Sequence, residues 1–338
     1  MKIEKNKSLR NYNTFGIDVC VRKYIEIYDE EELKQLLSLS ELKDEPKLVL
    51  GGGSNILFTH DYNGIVIKNS IPGIKIIFED EKLCLVKAGA GVVWNDLVLF
   101  AVEKNLGGIE NLISIPGTVG AAPIQNIGAY GEELQNTFHS LKGIFLDTGK
   151  ESVFDREDCR FGYRESIFKK ELREKLIITY VILELNKNPQ PVFNYGPVKN
   201  ELDKLNKENY SIKDISDIIA KIRNDKLPDP TSIGNAGSFF KNPEIDKDQF
   251  LELKKEHPEI PFFTTPHDKV KIPAGWLIEK CGWKGKRIKN VGVHENQALV
   301  LVNYGNATGT DILSLANEIK ISVIKTFGIE LTEEVNIY

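Results

Sequence analysis

Between Glu110 and Gly131 this chain has no lysine and no arginine, and Glu110 itself is the first charge-bearing residue of the stretch and the last. Other absences narrow the field further. The four cysteines, Cys20, Cys84, Cys159 and Cys281, lie far apart, with no Cys-x-x-Cys pair and no His-Glu-x-x-His. A zinc site is therefore not expected. Cys84 and Cys159 read as ordinary strand residues in a reducing compartment. His60, His139, His257, His267 and His294 share no ligand spacing, so no metal is expected at all. No apolar run approaches the ~18 residues of a membrane span. No apolar segment follows the charged N-terminus, so no secretory signal is expected. A net charge of -5 gives no basic footprint for nucleic acid. There is no internal repeat and no low-complexity segment. A cytoplasmic protein without membrane or nucleic-acid partners is the expectation, and a monomer is the default.

What the cation-free stretch does contain is glycine and small residues. Gly117, Gly120, Gly128 and Gly131 lie in it, with Ala121, Ala122 and Ala129 between them and Gly108 just upstream. A helix would hold fewer glycines and a strand more β-branched residues. Bare backbone lets N–H groups approach a flat or phosphorylated ligand directly. A solvated surface loop fits poorly, because Ile113, Ile115, Val119, Ile124 and Ile127 are apolar. A buried loop must find partners for its peptide groups, and a bound cofactor supplies them. Gly51, Gly52, Gly53, Ser54 and Asn55 form a second glycine turn, directly after an expected strand. It matches neither G-x-G-x-x-G nor a Walker loop, and by itself it reads as turn chemistry. Two such loops together suit a dinucleotide.

Along the chain, residues 1–20 read as polar and irregular, with a turn at 13–16. Strands are expected at 24–28, 48–50 and 64–68. Asp29 caps a short helix between the first two. Residues 74–78 and 83–88 form a hairpin. Residues 92–105 form a helix with Trp94, Leu97, Val98 and Ala101 on one face. Strands follow at 141–146, 151–154 and 176–185. Residues 186–197 carry three prolines and read as a linker. Residues 211–224 form a helix that starts on a Ser211/Asp214 capping box and is stopped by Pro228 and Pro230. A domain boundary falls near that stop. The last third alternates helices at 246–256, 273–281 and 310–327 with strands at 288–293 and 298–303. It closes on an alternating tail, 329–338.

Three side chains stand out for chemistry, each beside an ordinary reading. Arg164, between Tyr163 and Glu165, is either a surface ion-pair partner or a planar fork for a carboxylate. Ser238 has no neighbouring histidine to make it a nucleophile. It remains a turn serine or a hydroxyl donor. Phe239 and Phe240, next to it, point to opposite sides of an extended segment, so only one is expected in a core. Glu334 lies in the tail with Thr332 and Asn336 on one face, opposite Ile329, Leu331, Glu333, Val335 and Ile337.

Taken in order, a set of motifs carries a resemblance over nearly the whole chain. They are Asn13-Thr-Phe-Gly16, the 51–55 turn, Ile115-Pro-Gly-Thr-Val-Gly120 and Gln125-Asn-Ile-Gly-Ala-Tyr-Gly131. Then come Cys159-Arg-Phe-Gly-Tyr-Arg164, Lys226-Leu-Pro228, Gly237-Ser-Phe-Phe-Lys-Asn-Pro243, Ala274-Gly-Trp-Leu-Ile278 and Glu334-Val335. The chain resembles the UDP-N-acetylenolpyruvoylglucosamine reductase family of flavoenzymes. Tyr195-Gly196 makes it similar to the longer of the family's two classes.

The resemblance implies an α+β architecture. It would be a two-subdomain FAD-binding fold of the PCMH/vanillyl-alcohol-oxidase type plus a C-terminal α+β substrate-binding domain. Residues 1–70 and 71–218 would clamp non-covalent FAD. Residues 219–320 would carry the substrate, and 321–338 would return to the FAD half. The cofactor cradle would comprise Gly51, Gly52, Gly53, Ser54, Asn55, Ile115, Pro116, Gly117, Thr118, Ala121, Ala122, Ile124, Gly128 and Ala129. NADPH would reduce the flavin and leave. UDP-N-acetylglucosamine enolpyruvate would then bind and be reduced to UDP-N-acetylmuramate for peptidoglycan synthesis. Arg164 would polarise the substrate carboxylate, Ser238 would give the proton, and Glu334 would assist. Tyr130, Tyr163, Tyr195, Lys226, Asn242, Lys284 and Gln297 would contact the sugar nucleotide. Asn336 stands where the longer class tends to carry arginine, and Phe262-Phe263 where a tyrosine is common. Two other readings stand beside this one. An alcohol or aldehyde oxidase of the same fold often tethers its flavin through histidine or cysteine, and neither occurs in 110–131. A catalytically silent sugar-nucleotide binder would not need Arg164, Ser238 and Glu334 together.

Overall fold

Alternating apolar residues in the first seventy positions build a small sheet, and every later element of the N-terminal unit is laid against it or its neighbour. In this computed structural model the residues described are 2–190, 196–205, 207, 209–265 and 268–338. Strands β1 (Ile3–Ser8), β2 (Cys20–Ile27) and β3 (Lys47–Leu50) come first. The short β4 (Ile56–Leu57) and then β5 (Tyr62–Asn69) follow. The sheet order is β1-β2-β5-β3, with β3 parallel to β5. Helix α1 (Glu30–Ser38) starts where expected, on Asp29, whose side chain accepts from Glu32 N–H at 2.8 Å. Strand β1 corrects the irregular reading of residues 1–20. Its Lys and Asn residues are poor strand formers, and pairing with β2 at a sheet edge overrides that propensity.

The second sheet has the order β11-β10-β12-β7-β6. Its strands are β6 (Ile74–Glu79) and β7 (Leu83–Gly89), then β10 (Phe138–Phe145), β11 (Glu151–Asp155) and β12 (Leu176–Asn186). The pairs given by register are all antiparallel. Helix α2 (Trp94–Glu103) buries Trp94, Leu97, Val98 and Ala101. The 110–131 stretch forms 3-10 turns at Glu110–Leu112 and Val119–Gln125. A tight hairpin of β8 (Gly128–Ala129) and β9 (Glu132–Glu133) follows. Ile113, Val119 and Ile127 are buried, as an apolar loop against a sheet should be. A short helix, α3 (Arg156–Cys159), starts on a capping box between Asp155 and Asp158. That box corrects the strand assignment of Cys159. Helix α4 (Gly196–Asp203) starts on the last two residues of the 186–197 segment read as linker and runs beyond it, and residues 191–195 of that segment lie outside the described residues. Helix α5 (Ile212–Lys226) begins on the expected Ser211/Asp214 box, with Ser211 N–H to Asp214 at 2.9 Å and Asp214 N–H to Ser211 at 3.1 Å.

By contacts the chain divides into two units. The first holds residues 1–7, 21–53 and 63–225, and the second holds 8–20, 54–62 and 226–338. The second contains β13 (Gly234–Ser238), β14 (Glu244–Asp246), α6 (Lys247–Glu256), β15 (Phe263–Thr264) and β16 (Lys269–Lys271). It continues with α7 (Ala274–Lys280), β17 (Arg287–Ile288), β18 (Val291–Val293), β19 (Val300–Asn303) and α8 (Gly309–Phe327). Its main sheet runs β13-β19-β18-β17. The expected strand at 288–293 is two short ones, broken where Lys289 takes φ +55°. The tail ends in β20 (Asn336–Ile337), parallel to β4. Ile329, Leu331 and Val335 are buried as the alternation required.

Phe239 and Phe240 are both fully buried, which corrects the expectation that only one would be. The segment is covered on both sides. Phe239 N–H donates to Leu299 at 2.8 Å, while Lys241 N–H donates to Thr332 and Glu334 N–H to Phe239, at 2.9 and 2.8 Å. The C-terminal tail supplies the second cover, a long-range pairing that no local pattern encodes.

Candidate active site

The two glycine loops meet backbone to backbone in the first unit. A Cβ on Gly52 would lie 3.0 Å from the Gly117 Cα, and one on Gly51 would lie 2.5 Å from Thr118 Oγ1. Gly53 and Gly117 take φ of +65° and +122°, a region that costs glycine little. Lys68 Nζ donates to the Gly51 carbonyl at 2.7 Å and fixes the turn from below. Thr118 and Ala122 are buried, whereas Gly52, Pro116 and Ala121 are open to solvent and Ile115 and Ile124 lie between. Such a paired bare backbone fits a cofactor that must approach peptide groups closely. Side chains in this place would fill the cradle.

Arg164 sits at φ +53°, and its Nη2 donates to the Gly128 carbonyl. A Cβ on Gly128 would fall 2.9 Å from Arg164 Nη1, so the glycine makes room for the guanidinium. The Tyr163 ring lies 5.3 Å from the guanidinium carbon. The arginine is half-buried against the cradle's hairpin, which favours the fork over the surface reading. Ala129 and Tyr130 complete that hairpin. Tyr130 takes φ +51°, and its carbonyl accepts from Asn111 Nδ2 at 3.1 Å.

Sequence reading missed Arg223. It sits on α5 beside the buried Ile219 and Ile222, and its Nε donates to the Ser114 carbonyl at 3.3 Å. Burial pulls the guanidinium below its usual range, and the Tyr130 hydroxyl opposes that shift. The signal available was an arginine following directly on an apolar helix face.

In the second unit the main chains that carry Ser238 and Glu334 come together. Ser238 ends β13, and Glu334 donates its N–H to the next residue's carbonyl, at Phe239. Glu333, on the apolar side of the tail, pairs with Lys320 at 2.9 Å, and Glu334 is half-buried. The exit of the first glycine turn joins this cluster, as Asn55 Nδ2 donates to the Glu334 carbonyl at 3.3 Å. Asn242 Oδ1 accepts from Ala274 N–H at 2.9 Å at the start of α7. Gln297 Oε1 lies 3.3 Å from where a Gly275 Cβ would be, so both side chains gather there. Lys284 is held by Glu279 at 3.1 Å and Lys226 is exposed. Phe262 stacks on Phe250 with centroids 4.7 Å apart. Tyr195 and His267 lie outside the described residues. No cluster of metal-ligating side chains occurs among the described residues.

A glycine cradle between two small α+β layers, followed by a separate α+β unit whose tail runs beside the strand that ends on Ser238, is the organisation of an FAD-dependent oxidoreductase. Residues 22–153 match the FAD binding domain family, and residues 229–338 match the family described as UDP-N-acetylenolpyruvoylglucosamine reductase, C-terminal domain. The reductase of that name from Flavobacterium johnsoniae is 48% identical over 338 residues, covering all of both chains. The one from Pseudomonas aeruginosa is 44% identical, covering all of this chain and 99% of its own. The solved structure of the Thermus caldophilus enzyme superposes with a TM-score of 0.69 at 25% identity, over 100% of this chain and 99% of that one. The chain belongs to the UDP-N-acetylenolpyruvoylglucosamine reductase family. The two-subdomain FAD fold with a C-terminal α+β domain is thus borne out.

Proposed function

We propose that the chain reduces UDP-N-acetylglucosamine enolpyruvate to UDP-N-acetylmuramate, the lactyl ether used in peptidoglycan synthesis, with NADPH as the electron source. The observation that supports this reading is the tail's return beside the end of β13, where Glu334 N–H donates to the carbonyl of Phe239, the residue after Ser238. An oxidase or a silent binder has no use for that pairing. Bound in the cradle of Gly51, Gly52, Gly53, Ser54 and Asn55 with the 115–129 loop, FAD supplies a two-electron carrier between NADPH and the substrate's vinyl carbon.

The chain's own groups manage charge and protons. Arg164 holds the substrate carboxylate and stabilises the negative charge that builds there. Ser238 delivers the proton to the adjacent carbon. A hydroxyl is a weak acid, but a carbanion-like carbon is a strong base, so position suffices. Glu334 orients this pair or, when neutral, helps polarise the carboxylate. Tyr130, Tyr163, Tyr195, Asn242 and Gln297 contact the sugar nucleotide. Lys226 and Lys284 face the diphosphate, which would replace Glu279 as the partner of Lys284. In this reading residues 1–70 and 71–218 clamp the cofactor, 219–320 carry the substrate, and 321–338 return to the first part. The enzyme works as a cytoplasmic monomer on water-soluble nucleotides, without membrane or nucleic-acid partners.

The test is an anaerobic two-step titration of the yellow holoenzyme. NADPH bleaches the flavin, and the enolpyruvyl nucleotide restores its colour. Ser238→Ala keeps the first step near normal and cripples the second. Bleaching with no recolouring of the wild type by that substrate would reject the reading in favour of an oxidase.

A further inference from the structure

The geometry points to Asn235 as the positioning residue that aims the Ser238 hydroxyl, through a strand bulge held by its amide. This inference rests on the role given to Ser238 above. Strand β13 pairs regularly with β19 at Gly234 with Asn303 and at Asn235 with Val302, then slips before Ser238 meets Val300. Two residues, Ala236 and Gly237, take up the slip, with Gly237 at φ +67°. A bulge of this kind re-aims the side chain that follows it.

Asn235 is what fixes the bulge. It is almost completely buried, and its side chain makes three hydrogen bonds. Oδ1 accepts from Gly237 N–H at 2.9 Å, and Nδ2 donates to the carbonyls of Ile233 and Pro228, at 2.9 and 3.2 Å. A flipped amide would set NH2 against N–H and oxygen against two carbonyls, so only one orientation satisfies the site. The bond to Gly237 closes a turn two residues ahead, within the strand that ends on Ser238. Backbone on the far side leaves no slack. Asn235 N–H donates to the Thr14 carbonyl at 3.0 Å, and a Cβ on Gly234 would lie 2.3 Å from the Phe15 carbonyl oxygen. The 13–16 turn is rigid in its own right. Asn13 Nδ2 donates to Leu9 and Ile17, and Asn13 Oδ1 accepts from Ile17 N–H, all within 3.0 Å. Ser238 is therefore the first residue after a bulge whose only adjustable part is pinned by one amide.

The experiment compares Asn235→Ala, Asn235→Ser and Asn235→Asp with wild type and Ser238→Ala, each as FAD-loaded full-length protein. Anaerobic stopped flow follows flavin reduction by NADPH and reoxidation by the enolpyruvyl nucleotide. A misplacement of about 1 Å at a reacting group costs on the order of 100-fold. Asn235→Ala should therefore reoxidise ~10- to 100-fold more slowly, with reduction by NADPH within about twofold of wild type. Asn235→Ser keeps a short acceptor for Gly237 and should fall between. Asn235→Asp provides the pH test. A protonated carboxyl accepts from Gly237 and donates to Ile233, whereas a carboxylate there faces two carbonyl oxygens. Buried without a cation, that acid has a raised pKa. Reoxidation by Asn235→Asp should recover as pH falls, where Asn235→Ala stays flat. Equal slowing of both half-reactions, no slowing in either, or parallel pH profiles for the Asp and Ala variants would overturn the assignment. If Asn235→Ala does not fold, the Ser and Asp variants decide it. Unchanged reoxidation in Ser238→Ala would remove the proton-donor role and this inference with it. A loss in Ser238→Ala without one in the Asn235 variants would overturn this inference alone.

Discussion

Replacing Gly51 by alanine should loosen the FAD cradle, and a second substitution should restore it. The added methyl would lie 2.5 Å from Thr118 Oγ1 and 3.7 Å from Ala121 Cβ. Thr118 is buried, so the loops must separate by several tenths of an ångström. Forcing an extra methyl into a packed place costs ~1–3 kcal/mol. If that strain is relieved when the loops part and the cofactor leaves, it appears as a Kd for FAD ~5- to 150-fold weaker. Thr118→Ala removes the clashing oxygen, so Gly51→Ala with Thr118→Ala should recover most of the affinity. Gly52→Ala offers the contrast, because its methyl would lie 3.0 Å from the Gly117 Cα, and no side-chain deletion relieves a backbone contact. Quenching of FAD fluorescence on addition to apoprotein measures all four. Wild-type affinity in Gly51→Ala would refute the reasoning, as would failure of Thr118→Ala to rescue it while Thr118→Ala alone binds FAD normally.

Three further outcomes follow from other parts of the molecule. Glu151 lies 2.8 Å from Lys142 and 2.9 Å from Lys34, and those cations hold its carboxyl down to about 2. A depressed folded-state pKa gives stability that is present above the unfolded value and lost as pH falls towards the folded one. The melting-temperature gap between wild type and Glu151→Gln should shrink from about pH 5 downward, and a constant gap would exclude the linkage. Burial pushes the Cys159 thiol up to about 12, whereas Cys20 is exposed. A thiol reagent at pH 8 should label Cys20 within the mixing time of the assay and Cys159 only after denaturation, as read by peptide mass mapping. Asn13→Ala leaves Ile17 N–H and two carbonyls without their buried partner. It should lower stability by ~2–4 kcal/mol in urea unfolding, and a loss under ~0.5 kcal/mol would count against that role.

Periodicity made most of the secondary structure legible, because apolar spacing and caps are local signals. Helices α1, α2, α5 and α8 and the hairpin of β6 and β7 follow directly from them. Where the expectations failed, a distant partner had decided. Residues 3–8 become a strand because β2 is beside them, and both Phe239 and Phe240 are buried because the tail covers the open side of their segment. The glycine loops announced a cradle through composition, but their contact at Gly52 and Gly117 joins positions sixty-five apart, beyond any window. Arg223 was overlooked for the same reason, since its partners at Ser114 and Tyr130 become visible only once the backbone is closed. Asn235 was overlooked although Gly237 and Pro228 lie only two and seven residues from it, because the bulge its amide holds exists only when β13 pairs with β19.

The departure at Asn336 can be understood on the same terms. Its backbone N–H and its Nδ2 both donate to the Asn55 carbonyl, at 3.1 and 3.0 Å, and Asn55 Nδ2 returns a bond to the Glu334 carbonyl at 3.3 Å. One asparagine thus locks the exit of the glycine turn to the strand that carries the acid, and the parallel pairing of β4 with β20 continues the lock for two more residues. An arginine there would bring charge and reach. Asparagine instead brings a short amide that fits the carbonyl it must satisfy. Around Asn336 the tail is therefore held by main-chain bonds and two amides, while the Glu333–Lys320 ion pair holds it three residues earlier. The contribution of the Asn336 amide should be insensitive to salt, since hydrogen bonds between neutral groups are not screened, and the Glu333–Lys320 pair is common to both proteins of the comparison. Melting curves of Asn336→Ala and wild type between 0.05 and 1 M salt should therefore run parallel. A gap that closes as salt rises would mean that charge, not the amide lock, holds the tail.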